Sequence, residues 1–469
     1  MKKFGIAFAL LFANIVIADT LSLSLNDAIT MAFRNNSLVS IERINTDIAK
    51  TILKEQYYAY EPQIEASYST ESANQVDIFS VNQAYINIRQ TSPTGTTFEA
   101  RSQGAQSHYN SVNTIRLSLT QALLQGANPA ANLTPIRKAR IDIDITNEEL
   151  SAYAQKLFAD VERAYWNVIL SAEELKIYKY SLDLAQRFLY ESQERLKMGS
   201  VATIDLAAIT AEAASREKQL FDAESAYKQN ILYFIYLINA PQFNTELALS
   251  DTAMTLGKED AVDEHIEAAK QFRQDYRQAQ MLAKKGQLDL IQTKNGLLPR
   301  LNFFINLQGS ALANDFGAAL LPHSPIPDTR ITEMGLIMQF PLTNGAARQK
   351  YIRAGYSLEQ MNLAVENFLR LLEYEIRAAH IEALRAFRQI ETAKTVSALQ
   401  QQKLNAEQER MNVGKSTGYA VLQVQRDLVS ANLDEARARI AYIDALLSLY
   451  SKDATLLQRR GVAVNSIGE

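Results

Sequence analysis

The chain has 469 residues, 48 of them basic and 52 acidic, and a formal net charge of −4. That balance argues against a nucleic-acid binder, which carries a basic surplus. Only 10 prolines and 17 glycines interrupt the chain, which favours long helices, and the absence of cysteine excludes disulfides and a lipid anchor on a cysteine thiol.

The first residues, MKKFGIAFALLFANIVIADT, set Lys2 and Lys3 before an apolar run from Phe4 to Ile17. Val16 and Ala18 suit the −3 and −1 positions of a cleavage site before Asp19. Residues 1–18 are therefore predicted to be a secretory signal peptide, with a buried N-terminal helix as the alternative. No later stretch is apolar for the ~18 residues that a transmembrane helix needs. The longest is ILYFIYLINA, residues 231–240. An exported chain that crosses a membrane without such a helix must do so as a closed β-barrel.

Two halves of the chain repeat one unit. QERLKMGS (193–200) returns as QERMNVGK (408–415), and the match extends at one constant offset. Val161, Ala164, Gly199, Ala226 and Tyr227 correspond to Ile376, Ala379, Gly414, Ala441 and Tyr442. Upstream, YEPQIEAS (60–67) resembles LLPRLNFF (297–304), and TQALLQG (120–126) resembles QFPLTNG (339–345). The first helix of each half is expected near NDAITMAF (26–33) and DEHIEAAKQF (263–272). The expected organisation is a first repeat over 19–240, with strands about 62–122 and a long helical hairpin about 132–239. A linker follows at 241–258. The second repeat spans 259–457, with strands about 299–341 and a hairpin about 345–455, and 458–469 is a C-terminal tail.

Within the first hairpin, apolar residues fall at Leu150, Ala154, Leu157, Val161, Ala164, Val168, Ala172 and Leu175. Steps of three and four are the spacing of coiled-coil packing. A rod of coiled coil alone would satisfy this pattern. The strands point elsewhere. QIEASYST (63–70), TIRLSLTQ (114–121), LNFFINLQ (301–308) and EMGLIMQF (333–340) alternate apolar and polar residues, with Phe304 the exception. Such segments match strands with a lipid face and a water face, although a soluble sheet resting on a core alternates equally well. Glu65, Arg116 and Glu333 fall on the polar side and are the candidate lumen residues. Tyr57, Tyr58 and Tyr60, where the first helix meets the first strand, suit an interfacial girdle or helix-on-sheet packing. Asp142 and Asp144 read as solvated or capping residues near a helix start.

Four strands cannot close a transmembrane barrel, because at least ~8 are needed. The chain must pool strands with copies of itself. An extra alternating pair, NQAYINIRQ (82–90) and TTFEARSQ (96–103) joined by SPTG, leaves the count open. A trimer has 12 strands if that hairpin lies outside the barrel and 18 if it joins the wall.

Taken together, the doubled unit, the strand pairs, the long helices and a glycine stop in each half resemble the TolC family of outer-membrane factors, over about Leu21 to Leu457. The resemblance rests on ERLKMGS and ERMNVGK, TQALLQG and QFPLTNG, and EPQIE and LPRLN, in that doubled order. It implies a mainly α fold with transmembrane β. Three copies would form an outer-membrane β-barrel continued by a periplasmic α-helical barrel. The homotrimer would be a passive channel, contacting outer-membrane lipid and serving a periplasmic adaptor and an inner-membrane transporter in efflux or type I secretion. It also implies that the glycine turns, Met198, Gly199, Ser200 and Val413, Gly414, Lys415, lie at the periplasmic tip where an adaptor docks; an ordinary helix stop is the alternative. Some family members carry acids six and nine positions after the second glycine, where this chain has Ala420 and Gln423. Asp205 holds the sixth position after the first glycine. These three are the aperture candidates, and an acidic ring at the tip is not expected.

No catalytic residues, cofactor or metal site are expected. His108, His265, His323 and His380 are scattered, and no phosphate-binding glycine loop is present. The rival readings are an envelope coiled-coil scaffold without a channel, which leaves the amphipathic strands unexplained, and a periplasmic adaptor, which needs one helical hairpin rather than two.

Overall fold

A computed structural model describes residues 21–75, 77–106, 111–198, 203–240, 247–250, 260–313, 315–320 and 329–461. The expected signal peptide, most of the 241–258 linker and most of the tail lie outside the described residues. In chain order the elements are β1 (Leu21–Leu23), α1 (Leu25–Asn35), α2 (Ser37–Tyr58), β2 (Gln63–Gln75), β3 (Asp77–Thr91), β4 (Thr96–Gln106) and β5 (Ser111–Ala122). There follow α3 (Pro129–Asn132), α4 (Thr134–Lys197), α5 (Thr203–Ile238), β6 (Leu247–Leu249), α6 (Val262–Phe272), α7 (Gln274–Asn295) and β7 (Arg300–Ala313). The last are α8 (Phe316–Leu320), β8 (Thr329–Gln339), α9 (Gly345–Asn412), α10 (Gly418–Lys452) and α11 (Leu456–Arg459).

These elements form two compact units, and each draws on both sequence halves. The helical unit comprises Met1–Ser40, Ala152–Arg273 and Leu372–Glu469. The sheet unit comprises Ile41–Ser151 and Gln274–Leu371.

In the helical unit, Ser24 opens α1 with a capping box: its hydroxyl accepts from Asp27 N–H, and the Asp27 carboxylate accepts from Ser24 N–H. The helix thereby presents Ala28, Ile29, Ala32 and Phe33 to a core shared with Phe158, Val161 and Tyr165 of α4, Phe234 and Ile238 of α5, and Ile443 and Leu447 of α10. Tyr165 meets Trp166 and Phe234 edge-on, at 5.6 and 5.9 Å between ring centres. Each such pair contributes about 0.5–1.5 kcal/mol beyond its buried area. Strands β1 and β6 form a short parallel pair, Leu21 beside Leu247. Two buried acids here are partnered. His265 Nδ1 lies 2.6 Å from Asp453 Oδ2, and Arg460 donates to Glu162.

The first helix of each repeat, expected as one element, is two. The breaks fall at Asn36 (φ −71°, ψ 118°) and Arg273 (φ −70°, ψ 118°), equivalent places in the two halves. The Asn36 side chain accepts from Leu38 and Val39 N–H and so starts α2.

The sheet unit carries a six-stranded antiparallel sheet in the order β2-β3-β4-β5-β7-β8. The 82–103 hairpin is thus inside the sheet, with β3 and β4 lying between β2 and β5. Residues directly opposite one another share a face. Ile64, Ile88, Ala100, Leu117, Leu307 and their even-spaced neighbours Ile86, Phe98, Leu119, Ile305, Met334 and Leu336 make one apolar face across all six strands. Phe304, the break in the alternation, falls on the polar face opposite Gly335. A Cβ on Gly335 would stand 2.9 Å from the Phe304 ring, so the glycine makes room for it. Helix α8 covers the far end of the apolar face, with Phe316 edge-on to Tyr68 and the Ala319 carbonyl accepting from the Asn113 amide.

Helix α7 lies against α4 and α9 in this unit. Lys138 pairs with Asp289, Lys285 with Asp142, and Arg277 with Glu148 at 2.9 Å. Asp142 is therefore an ion-pair partner between helices rather than a cap. A Cβ on Gly286 would lie 2.8 Å from Met361 Sδ, so this glycine sets the close approach of α7 to α9.

Candidate functional site

Two places carry the sequence-predicted residues, and each lies within one unit. The first is the turn of each long hairpin in the helical unit. Helix α9 ends in a Schellman motif: Lys415 N–H donates to Arg410 O at 2.8 Å, and Gly414 N–H to Met411 O at 3.0 Å. Gly414 has φ +73°, the left-handed conformation that this motif requires. Thr417 then caps α10, its hydroxyl accepting from Ala420 N–H. Ala420 is thus a first-turn residue, and Gln423 donates to Asp427 one turn later. Asp427 also pairs with Lys403 at 3.0 Å, fastening α10 to α9.

In the first hairpin, α4 ends at Lys197, and Met198 follows with its N–H on Glu194 O. Gly199 and Ser200 lie outside the described residues, and Asp205 belongs to the first turns of α5. Met198 and Val413 are exposed, at 71% and 66%. Both hairpins meet in this unit. Phe188, Ile209 and Leu422 form a buried cluster with Met411 at its edge. A Cβ on Gly418 would stand 3.3 Å from the Phe188 ring. Beside the cluster is a cavity of about 670 Å³ lined by Arg195, Met198, Gly414, Ser416 and Tyr419.

Two turns further on, Glu212 of α5 accepts from Arg216 Nε at 2.8 Å and from Arg426 Nε of α10 at 2.9 Å. Burial works against its charge, but the hydrogen bond from Arg426 and the charges of Arg216 and Arg426 outweigh it and hold the carboxyl below its usual value. Sequence reasoning missed this cluster. Glu212 and Arg216 are an i,i+4 pair on α5, but Arg426, which completes the cluster, lies 214 positions beyond Glu212 along the chain.

The second place is the polar face of the sheet. Glu65, Asn87, Arg101, Arg116 and Gln308 follow one another across β2, β3, β4, β5 and β7 in one row of directly opposed residues. Arg89, Glu99, Ser118, Asn306 and Glu333 make the next row. The three predicted lumen residues therefore share a face, and Arg89, Glu99 and Arg101 join them. Glu65 accepts from Tyr85 Oη at 2.8 Å, Glu333 from the Asn306 amide at 3.0 Å, and Arg116 donates to Gln308 Oε1 at 2.8 Å.

At the helix-proximal end of the sheet, Tyr60 Oη donates to the Asn132 carbonyl, and the Asn132 amide donates to the Pro93 and Gly126 carbonyls. Tyr60 thus fastens the strand start to α3, while Tyr57 and Tyr58 remain exposed.

Among the described residues, no group of three or more metal-ligating side chains comes together, and no helix is long and apolar enough to cross a membrane. No protein-family model matches the chain, and neither does any curated protein. Solved structures do. The CmeC outer membrane channel of Campylobacter jejuni superposes with a TM-score of 0.71 at 14% identity, over 92% of this chain and 85% of that one. The outer membrane protein VceC of Vibrio cholerae gives 0.71 at 14% identity, over 92% and 95%. The open MtrE outer membrane channel of Neisseria gonorrhoeae gives 0.66 at 15% identity, over 92% and 88%. The chain therefore has the fold of these outer-membrane channels, the fold that its resemblance to the TolC family implies.

Proposed function

We propose that three copies of this chain form an exit duct. Its β-barrel stands in the outer membrane of a Gram-negative cell, and its helices extend into the periplasm. One observation carries the reading: a mainly apolar face runs across all six strands, and among the described residues most of its large side chains are exposed. Ile64, Met334 and Leu336 on that face are 72%, 68% and 63% exposed. A soluble sheet would bury such a face, whereas lipid covers it at no cost. The edge strands β2 and β8 require closure, because open edges cannot sit in lipid. The fold shared with outer-membrane channels supports the same reading.

The duct is passive, and the energy for transport comes from an inner-membrane transporter reached through a periplasmic adaptor. The turns at Met198–Ser200 and Val413–Lys415 are the docking points for that adaptor. Asp205, Ala420 and Gln423 lie next to them along the chain, at the aperture. Efflux of small compounds and type I secretion both suit such a duct.

The test is to express the chain with its leader, separate the membranes and weigh the detergent-solubilised particle. About three subunits in the outer-membrane fraction, with conductance in planar bilayers, is the expected result. A monomer or dimer released by salt alone would sink the proposal.

A further inference from the structure

We infer that the hairpin β3–β4 is a segment of the barrel wall, so that three copies close a barrel of eighteen strands. This rests on the outer-membrane reading above and adds to it the width of the passage. Twelve strands would suffice if β2 paired directly with β5. Instead all thirteen residues of β2 pair with β3, and all eleven of β4 pair with β5. Neither β2 nor β5 can lose the hairpin without leaving a row of backbone donors and acceptors unpaired.

Two further observations place it in the wall, and a third lets the ring close. First, its side chains continue both faces. Ile86, Ile88 and Phe98 extend the apolar face, while Tyr85, Arg89, Glu99 and Arg101 extend the polar one. Second, its turn is anchored at the helix-proximal end of the sheet. The Pro93 carbonyl accepts from the Asn132 amide, the Thr94 carbonyl from the Gln121 amide, and the Gly95 carbonyl from Ala122 N–H. Third, the strand count is even, so the edges β2 and β8 run in opposite directions. A β8 edge can then join the β2 edge of the next copy with the antiparallel alternation intact, and the ring closes on a threefold axis.

Six strands alone are too few to enclose a bore. With strands about 4.8 Å apart and tilted by about 40°, eighteen give a backbone radius of about 18 Å, against about 12 Å for twelve. Barrels of 16–18 strands hold a water-filled channel that side chains cannot plug. The passage through the outer membrane is accordingly wide enough for bulky polar cargo.

The absence of cysteine makes the test clean. Single variants Ile86→Cys and Gln83→Cys probe the two faces of β3, and Leu117→Cys probes the apolar face of β5, which lies in the wall in either case. Assembled protein in lipid vesicles is treated with a charged, membrane-impermeant maleimide and with a lipid-soluble one. Ile86→Cys should behave like Leu117→Cys, resisting the charged reagent at least tenfold and reacting with the lipid-soluble one, while Gln83→Cys takes the charged reagent. If Ile86→Cys reacts with the charged reagent while Leu117→Cys resists, the hairpin is off the wall and the inference fails alone. If Leu117→Cys reacts as well, the barrel reading itself fails. Electron microscopy of the unmutated particle gives an independent count, eighteen strands in support and twelve against.

Discussion

Arg101 and Arg116 stand directly opposite each other in the β4–β5 ladder, on the polar face of the sheet. Like charges so placed destabilise a strand pair. Neither is neutralised, because among the described residues neither forms an ion pair. The Arg101 guanidinium sits 3.8 Å above the Tyr85 ring, with Nε buried and unpartnered, and Arg116 is held by the neutral Gln308. The nearest carboxylate in the row, Glu65, is taken by Tyr85 Oη.

Such a pair in a water-filled bore should favour anions. An exposed charge a few ångströms from a passing ion is worth about 1 kcal/mol, or about fivefold. Arg101→Gln with Arg116→Gln should lower the anion-to-cation permeability ratio by roughly that factor, read as the reversal potential in a salt gradient. An unchanged ratio would remove these residues from the lumen.

Gly414 separates backbone need from packing. A Cβ there meets nothing within 4 Å, yet φ is +73°. Gly414→Ala should therefore cost about 1 kcal/mol in hairpin stability through the left-handed backbone alone, and Gly414→Asn less. Thermal unfolding of the solubilised particle measures the difference. Equal stability of all three forms would show that the Schellman turn is not held in solution. Loss of adaptor binding in both variants, at preserved stability, would support the docking role of the turn.

Gly95 is the opposite case. Its φ is +79°, and a Cβ would lie 2.3 Å from the Gly126 carbonyl, itself an acceptor of the Asn132 amide. Gly95→Ala combines backbone strain with a clash against main chain that cannot rotate away. It should cost about 3 kcal/mol or more and lower the yield of assembled particle. Wild-type assembly in Gly95→Ala would mean that the turn is not anchored as described.

Much of this was legible in the sequence, for physical reasons that also set the limit. Period-two alternation reports which face a residue takes, so Glu65, Arg116 and Glu333 could be placed on one side. It does not report which strand lies beside which, so only the hydrogen-bonded ladder fixes the place of the 82–103 hairpin. The exception at Phe304 needed its partner Gly335, thirty-one positions along the chain, to make sense. The break at Asn36 had an N-capping side chain to betray it; the break at Arg273 had no such residue, and only the repeat makes the two comparable. Helix α8 sits between loop-like residues and is too short for periodicity to show. Arg426 is brought to the Glu212–Arg216 pair only by the packing of two hairpins.

Two buried carboxylates of the helical unit respond to acid in opposite directions. Burial, the larger influence, raises the Glu162 carboxyl above its ordinary value of 4.5 despite the nearby Arg460. Its protonated form suits the fold, so its contribution is fully present below 4.5 and is lost as pH rises through the raised value. Glu212 is held below 4.5, so its contribution is present above 4.5 and is lost as pH falls through the depressed value. Glu162→Gln removes the first response. The stability advantage of the wild type over that variant should grow on going from pH 7 to pH 4. Glu212→Gln leaves Arg216 buried without its carboxylate and should cost about 3–5 kcal/mol at pH 7. That cost should hold steady down to about the ordinary glutamate value and shrink below it. Unfolding temperatures of the three proteins across this range decide the matter. Parallel pH profiles for both variants would show that the two carboxylates are not tuned apart by their surroundings.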